Sequence, residues 1–225
     1  GTYRLTADIA VTGSVANGSC VEVAANDTVL DGDGHVIRGD GSGDGVTVTG
    51  VRNATVRDVN ATGWSVGIAV ENGAEGLVLE ENDLVGNGFG DDNPGVLLEA
   101  GARDSPPRVI RNSFRRNLNG LMVAGTPEAL VRGNDFVDNL RSGVVVTGSS
   151  HGTEVRDNLI TGADLGVEDP AQLASNGVFV SLSSAVRVED NTITKNGNGV
   201  QLYFLAGSAI LDNEIERNTR GVWVR

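Results

Sequence analysis

The chain has 225 residues and carries 30 Asp and Glu against 17 Lys and Arg, a net charge of -13. That balance excludes nucleic acid as a partner, because phosphates need a basic face and no basic stripe is present. No apolar run is long enough to span a membrane, no signal peptide is visible at the start, and the lone Cys20 cannot form an internal disulfide and reads as a buried, inert thiol.

Residues 1–19 contain the apolar, irregular segment YRLTADIAV, expected to lie as a cap across the open edge of the first repeat unit. Residues 20–225 read as one continuous repeat domain with no polar linker. The stretch LDGDGHVIRGDGSGDG (30–45) is dense in Asp and Gly, which suits tight corners. Its Asp31, Asp33, Asp40 and Asp44 are candidate calcium ligands, although their spacing is not that of a fixed calcium loop. The N-x-S/T sequons fall at Asn17, Asn26, Asn53 and Asn60, so glycosylation is expected at the N-terminal end with the rest left bare for contacts.

From residue 82 onward an apolar-x-x-Asn-x-apolar-x-x-Asn pattern recurs, followed by Gly, apolar, x, apolar; VRVEDNTITKNGNGVQL (186–202) is its clearest copy. The first Asn falls at Asn82, Asn112, Asn134, Asn158, Asn191 and Asn213, and a second follows at Asn87, Asn117, Asn139, Asn196 and Asn218, with Ala163 breaking the second column. Such periods mean stacked units that bury their apolar faces only against each other. Apolar residues two apart, as in Val144 and Val146 or Val200 and Leu202, have strand periodicity, and no stretch sustains a helical one. The expected fold is therefore all-β, a right-handed parallel β-helix of about eight or nine rungs with three short strands per rung. At ~4.8 Å per rung the rod is on the order of 40 Å long, and the repeated Asn residues should stack as an internal amide ladder. Gly and Asn are expected where corners require positive φ or side-chain bonding to the backbone.

Two insertions, 86–95 and 161–177, leave the same corner three rungs apart, and a third, 100–109, leaves the next corner. Alternation along the first strand of each rung puts Leu97, Met122, Val145, Phe179 and Trp223 in one outward column, with Tyr203 in the next. A large apolar stripe on a charged protein reads as an interface or ligand-binding surface, or as a surface covered by the insertions; Trp223 is the residue most expected at a contact. Glu71 and Glu99 share another outward column, with Asp91 and Asp92 on the insertion between them. Carboxylates on adjacent rungs lie at about the spacing used by retaining glycosidases, which makes these four the candidate catalytic group. His35 and His151 lie in turns without a partner motif, and Arg103 is the one nearby candidate base for a lyase.

The segments VLDGDGHVIRG (29–39) and NATVRDV (53–59), with the Asn repeats, resemble the parallel β-helix proteins of the pectate-lyase-like superfamily, most closely the NosD-like and carbohydrate-associated surface members. The resemblance implies the fold over nearly the whole chain and a substrate groove between the insertions and the first strand of each rung. It leaves activity open, since that superfamily includes lyases, hydrolases, accessory factors and non-catalytic fibres. Copper handling, known among NosD-like relatives, is not favoured by one Met, one Cys and two scattered His. Lys195 is the single Lys, and acid excess with Arg in place of Lys resembles proteins of extremely halophilic archaea. The chain stops at GVWVR in mid-rung, an uncapped edge that favours self-association or pairing with other surface proteins. The expectation is a secreted or cell-surface, non-catalytic structural, assembly or adhesion module, with no cofactor assigned beyond the candidate calcium. The alternative is a polysaccharide-binding or polysaccharide-degrading domain, a lyase or glycosidase, using the groove between 86–95 and 161–177.

Overall fold

The computed structural model describes residues 1–13, 18–90, 93–99, 105–162, 175–203 and 206–225. Within them the regular structure is entirely β, in three parallel sheets of nine strands each. Numbered along the chain, each rung contributes three strands, the first being β1 (Thr2–Arg4), β2 (Ile9–Ala10) and β3 (Ser19–Val23). The third sheet continues through β6 (Asp44–Thr49), β9 (Val66–Glu71), β12 (Pro94–Glu99), β15 (Asn119–Ala124), β18 (Ser142–Thr147), β21 (Asn176–Ser181), β24 (Asn198–Tyr203) and β27 (Arg220–Val224). The result is a right-handed parallel β-helix of nine rungs. No helix among the described residues is long and apolar enough to cross a membrane.

Within the segment 1–19, β1 pairs in parallel register with β4 (Val29–Asp31), and β2 pairs with β5 (Val36–Arg38). Leu5, Ile9 and Val11 pack against the core. These two strands are too short, two or three residues, for alternation to be read in isolation. Of the three insertions, residues 91–92, 100–104 and 163–174 lie outside the described residues.

The Asn residues form the ladder that the repeat requires. Each side-chain amide donates to the carbonyl oxygen of the next Asn, from Asn82 to Asn112 (2.9 Å), Asn112 to Asn134 (3.1 Å), Asn134 to Asn158 (3.0 Å), Asn158 to Asn191 (2.9 Å) and Asn191 to Asn213 (2.9 Å). The same amide also donates to a backbone carbonyl of the rung before, as Asn134 does to Val109 O (2.9 Å), and each Oδ1 also accepts the backbone N–H of the preceding Asn. The second column runs from Asn87 through Asn117 to Asn139, and again from Asn196 to Asn218; Ala163, which separates the two runs, lies outside the described residues. A third ladder, of hydroxyls, crosses the remaining corner: Thr126 N–H donates to Ser150 Oγ and Ser150 N–H to Ser183 Oγ, each at 3.1 Å.

Positive φ falls one residue before each first-column Asn rather than on it. Glu81, Arg111, Gly133, Asp157, Asp190 and Asp212 all have φ between 53° and 65°. Only one of these is Gly. The following Asn binds backbone on both sides of the corner, and that over-determination holds ordinary side chains in a conformation they seldom adopt.

The core runs along the axis. Phe114 and Phe136 stack on adjacent rungs with ring centroids 4.5 Å apart, and the wholly buried Trp64 donates its indole N–H to Ile37 O (2.9 Å). The Gly in the third strand faces inward against this core: a Cβ on Gly120 would lie 2.5 Å from Gly143 O and 2.7 Å from the Phe136 ring. Asn134→Ala leaves Val109 O and the Asn112 N–H groups short of partners in a fully buried site and should cost about 3 kcal/mol or more, read as a lower midpoint in chemical denaturation with an unchanged slope. Gly120→Ala should cost about 1–3 kcal/mol by overpacking, read by the same measurement.

Candidate functional site

Among the described residues, several outward side chains of the third sheet are withdrawn from solvent. Inward alternation sends Val144, Val146, Val178, Val180, Val200 and Leu202 to the core. The outward positions Asn119, Ser142, Asn176 and Asn198 are nevertheless only 2–8% exposed. On the other two sheets, outward residues such as Arg108, Arg132, Arg115 and Asp135 are exposed.

The register aligns Thr47, Ala69, Leu97, Met122, Val145, Phe179, Gln201 and Trp223 in one outward column. Tyr203 stands in the next column beside Ser181. Val145 is buried, while Leu97, Met122, Phe179, Tyr203 and Trp223 are half-buried. The stripe is therefore no open apolar surface; fully exposed apolar side chains lie elsewhere, at Tyr3, Phe89, Leu182 and Val224.

The polar members of the face hydrogen-bond along it. Asn198 Nδ2 donates to Asn176 Oδ1 (2.9 Å) and to Gln201 Oε1 (3.4 Å), and Asn176 Nδ2 donates to Ser142 Oγ (3.5 Å). Gln201 is 9% exposed, and its Oε1 is held by the Asn198 amide. On the last rung the Arg220 and Arg225 guanidinium groups lie over the Trp223 ring, 4.6 and 3.9 Å from its centroid. Sequence reasoning misses these amides because Asn198 and Asn176 look like further corner residues; the Gly after each, facing inward, is the signal that turns them outward.

Carboxylates occupy the other half of the same face. The pairing of Val70 with Leu98 brings Glu71 and Glu99 to successive rungs, whereas Asp91, Asp92 and Arg103 lie outside the described residues. Asp44, on β6, belongs with Glu71: burial first, then the Glu71 charge, holds the Asp44 carboxyl above its usual range. Asp31, Asp33 and Asp40 are engaged apart from it. Asp31 accepts from Arg57 (2.8 Å) and Arg4 (3.3 Å), which with the Asp33 N–H holds its carboxyl below the usual range, Arg57 contributing most. Asp40 accepts the Ser42 hydroxyl at 2.7 Å. Among the described residues no group of three or more His, Cys, Asp and Glu side chains comes together.

Of the sequons, Asn26 and Asn53 are exposed, Asn60 is half-buried on the strand Asn60–Thr62, and Asn17 lies outside the described residues. Asn53 Nδ2 is bonded to Asp27 (3.0 Å).

A parallel β-helix with a hydrogen-bonding sheet face defines the class. The sequence matches the family model described as NosD, periplasmic copper-binding protein, over residues 7–162 and 107–225, and the chain belongs to that family. No curated protein matches it by sequence. Among solved structures it is similar to the Azotobacter vinelandii mannuronan C-5 epimerase AlgE4 A-module, with 18% identity, 92% of this chain and 76% of that one covered, and a TM-score of 0.58. It is also similar to the periplasmic alginate epimerase AlgG (15% identity, 88% and 50% covered, TM-score 0.60) and to DFA-IIIase of Arthrobacter chlorophenolicus A6 (12%, 92% and 52%, 0.59). The chain spans about half the length of the latter two. At these identities the likeness is one of fold.

The donors that copper favours do not fit a site here. Cys20 and Met122 lie on β3 and β15, four rungs or roughly 19 Å apart along the axis. His35 Nδ1 is bonded to Asp8 (3.1 Å), and His151 Nδ1 accepts the Ser184 N–H (2.9 Å) and so caps a turn. Burial pushes the Cys20 thiol up, away from the thiolate that binds metal.

Two of the shifted aspartates predict opposite pH responses. Asp31, lowered on folding, contributes stability above its unfolded value of 3.8 that is lost as pH falls through the lowered folded value; Asp31→Asn should lower Tm at pH 7, with the gap closing below about pH 4. Asp44, raised on folding, costs stability above its raised value; Asp44→Asn should raise Tm at pH 7 and leave it unchanged below about pH 4. Thermal melts across that range check both.

Proposed function

We propose that this chain is a non-catalytic, carbohydrate-binding β-helix that works outside the cytoplasm and holds an extended glycan along the outer face of its third sheet, toward the C-terminal rungs. The observation that carries the reading is Gln201. It is nine-tenths buried, its Oε1 is fixed by Asn198, and it stands between Phe179 and Trp223 in one column. A positioned amide flanked by aromatic rings suits a sugar, whose hydroxyls hydrogen-bond to the amide while its C–H face packs on a ring. Each rung repeats the same outward positions, so successive units of a polymer meet side chains at a regular spacing.

Two comparisons support the reading without supplying it. Several proteins of like fold carry glycans in their names, mannuronan, alginate and DFA-III, and the family description and the name of AlgG both say periplasmic. Binding is preferred to catalysis because Glu71 and Asp44 sit six and seven rungs from Trp223. The wild-type chain, presented to an array of neutral and uronate-containing oligosaccharides, should retain at least one class. Gln201→Ala and Phe179→Ala should weaken it about tenfold or more with Tm within a few degrees of wild type. Absence of any retained glycan at millimolar concentration, with the protein folded by circular dichroism, sinks the proposal.

A further inference from the structure

The charge on the third sheet is divided along the rod. Its outward positions carry Glu22, Asp44, Glu71 and Glu99 on the first four rungs and no carboxylate on β15, β18, β21, β24 or β27. The chain as a whole has 30 Asp and Glu, so five consecutive rungs without one at these positions are a marked departure from its composition. That neutral stretch ends in Arg220 and Arg225, which flank Trp223 at 4.6 and 3.9 Å. Elsewhere the arginines are largely spent on carboxylates, as Arg57 is on Asp31, Arg111 on Glu80 and Glu81, and Arg132 on Asp157. Arg220 and Arg225 pair with no carboxylate among the described residues; Arg220 makes only a 3.5 Å bond to Asn198 Oδ1.

We infer that the Trp223 rung is a subsite for an acidic sugar, one bearing a carboxylate on the ring, with the two guanidinium groups as its anion clamp and Gln201 as the neighbouring hydroxyl donor. This rests on the carbohydrate reading above and names the substrate class within it. A guanidinium stacked on an indole keeps its charge and planar fork while its face is shielded, so its N–H edges stay directed outward for bidentate pairing with a carboxylate. The first four rungs repel the same ligand, which sets where along the rod an anionic polymer is held. Two guanidinium groups on a chain of net charge -13 are too few to hold a nucleic acid, and a row of neutral amides favours hydroxyl-rich ligands over acidic peptide.

The test uses the full chain and a uronic-acid hexasaccharide beside its carboxyl-reduced, neutral counterpart, followed by tryptophan fluorescence. Trp64 is wholly buried, so the ligand-dependent signal should belong to Trp223 and vanish in Trp223→Phe. The uronate should bind about tenfold or more tightly than the reduced sugar, weaken with salt, and lose that preference in Arg220→Gln/Arg225→Gln. Equal binding of the two sugars overturns the acidic subsite and leaves the carbohydrate reading standing. No binding of either, or competition by poly-glutamate as strong as by the uronate, overturns both.

Discussion

Everything in this molecule depends on an amide that donates and accepts in the same direction at every turn. Asn supplies two acceptor lone pairs and two donor protons on a side chain short enough to stay within its own corner. Asp would lack the donors and Ser would lack one of them. In the stack from Asn112 to Asn191 all four capacities are used, two toward neighbouring amides and two toward backbone, so a polar column runs beside an apolar core with its amides satisfied.

The ladder also sets what the rest of the rung is free to be. Because the Asn holds the corner, the residue before it tolerates positive φ with a charged side chain, and the corners become places to display charge. The inward Gly of the third strand gives way to the neighbouring rung's backbone, and the residue before it is thereby turned outward. Asn176 and Asn198 thus belong to the outer face, although they are the same residue type as the ladder. One amino acid serves as internal scaffold and as surface hydrogen-bonding group, and which it becomes is decided by the residue after it.

The division of the third sheet into an acidic half and a carboxylate-free half gives the proposed function its direction. A rod with identical rungs would bind a polymer anywhere along its length. Here Asp44, crowded by Glu71, lies in the acidic part, and Trp223, with its two guanidinium groups, lies in the carboxylate-free part. Family membership alone would not have pointed there, because Cys20, Met122, His35 and His151 are too dispersed to form a copper site.

The spacing of Asn82, Asn112, Asn134, Asn158, Asn191 and Asn213 determined the fold, its strand direction and the column shared by Leu97, Met122, Val145, Phe179 and Trp223, because a period-two strand in a repeating rung leaves one register that buries the apolar set. Tertiary structure alone decided that β1 and β2 join the sheets, since pairing with β4 and β5 defines strands too short to show a period. It alone showed that the apolar stripe is withdrawn rather than exposed, that Asp44 faces Glu71 instead of the other aspartates of its loop, and that Gln201 is buried and held by Asn198 beside Trp223. Each of these depends on neighbours 22 or more residues away, and a one-dimensional pattern carries the repeat between rungs but not the burial and charge that the rungs create when they stack.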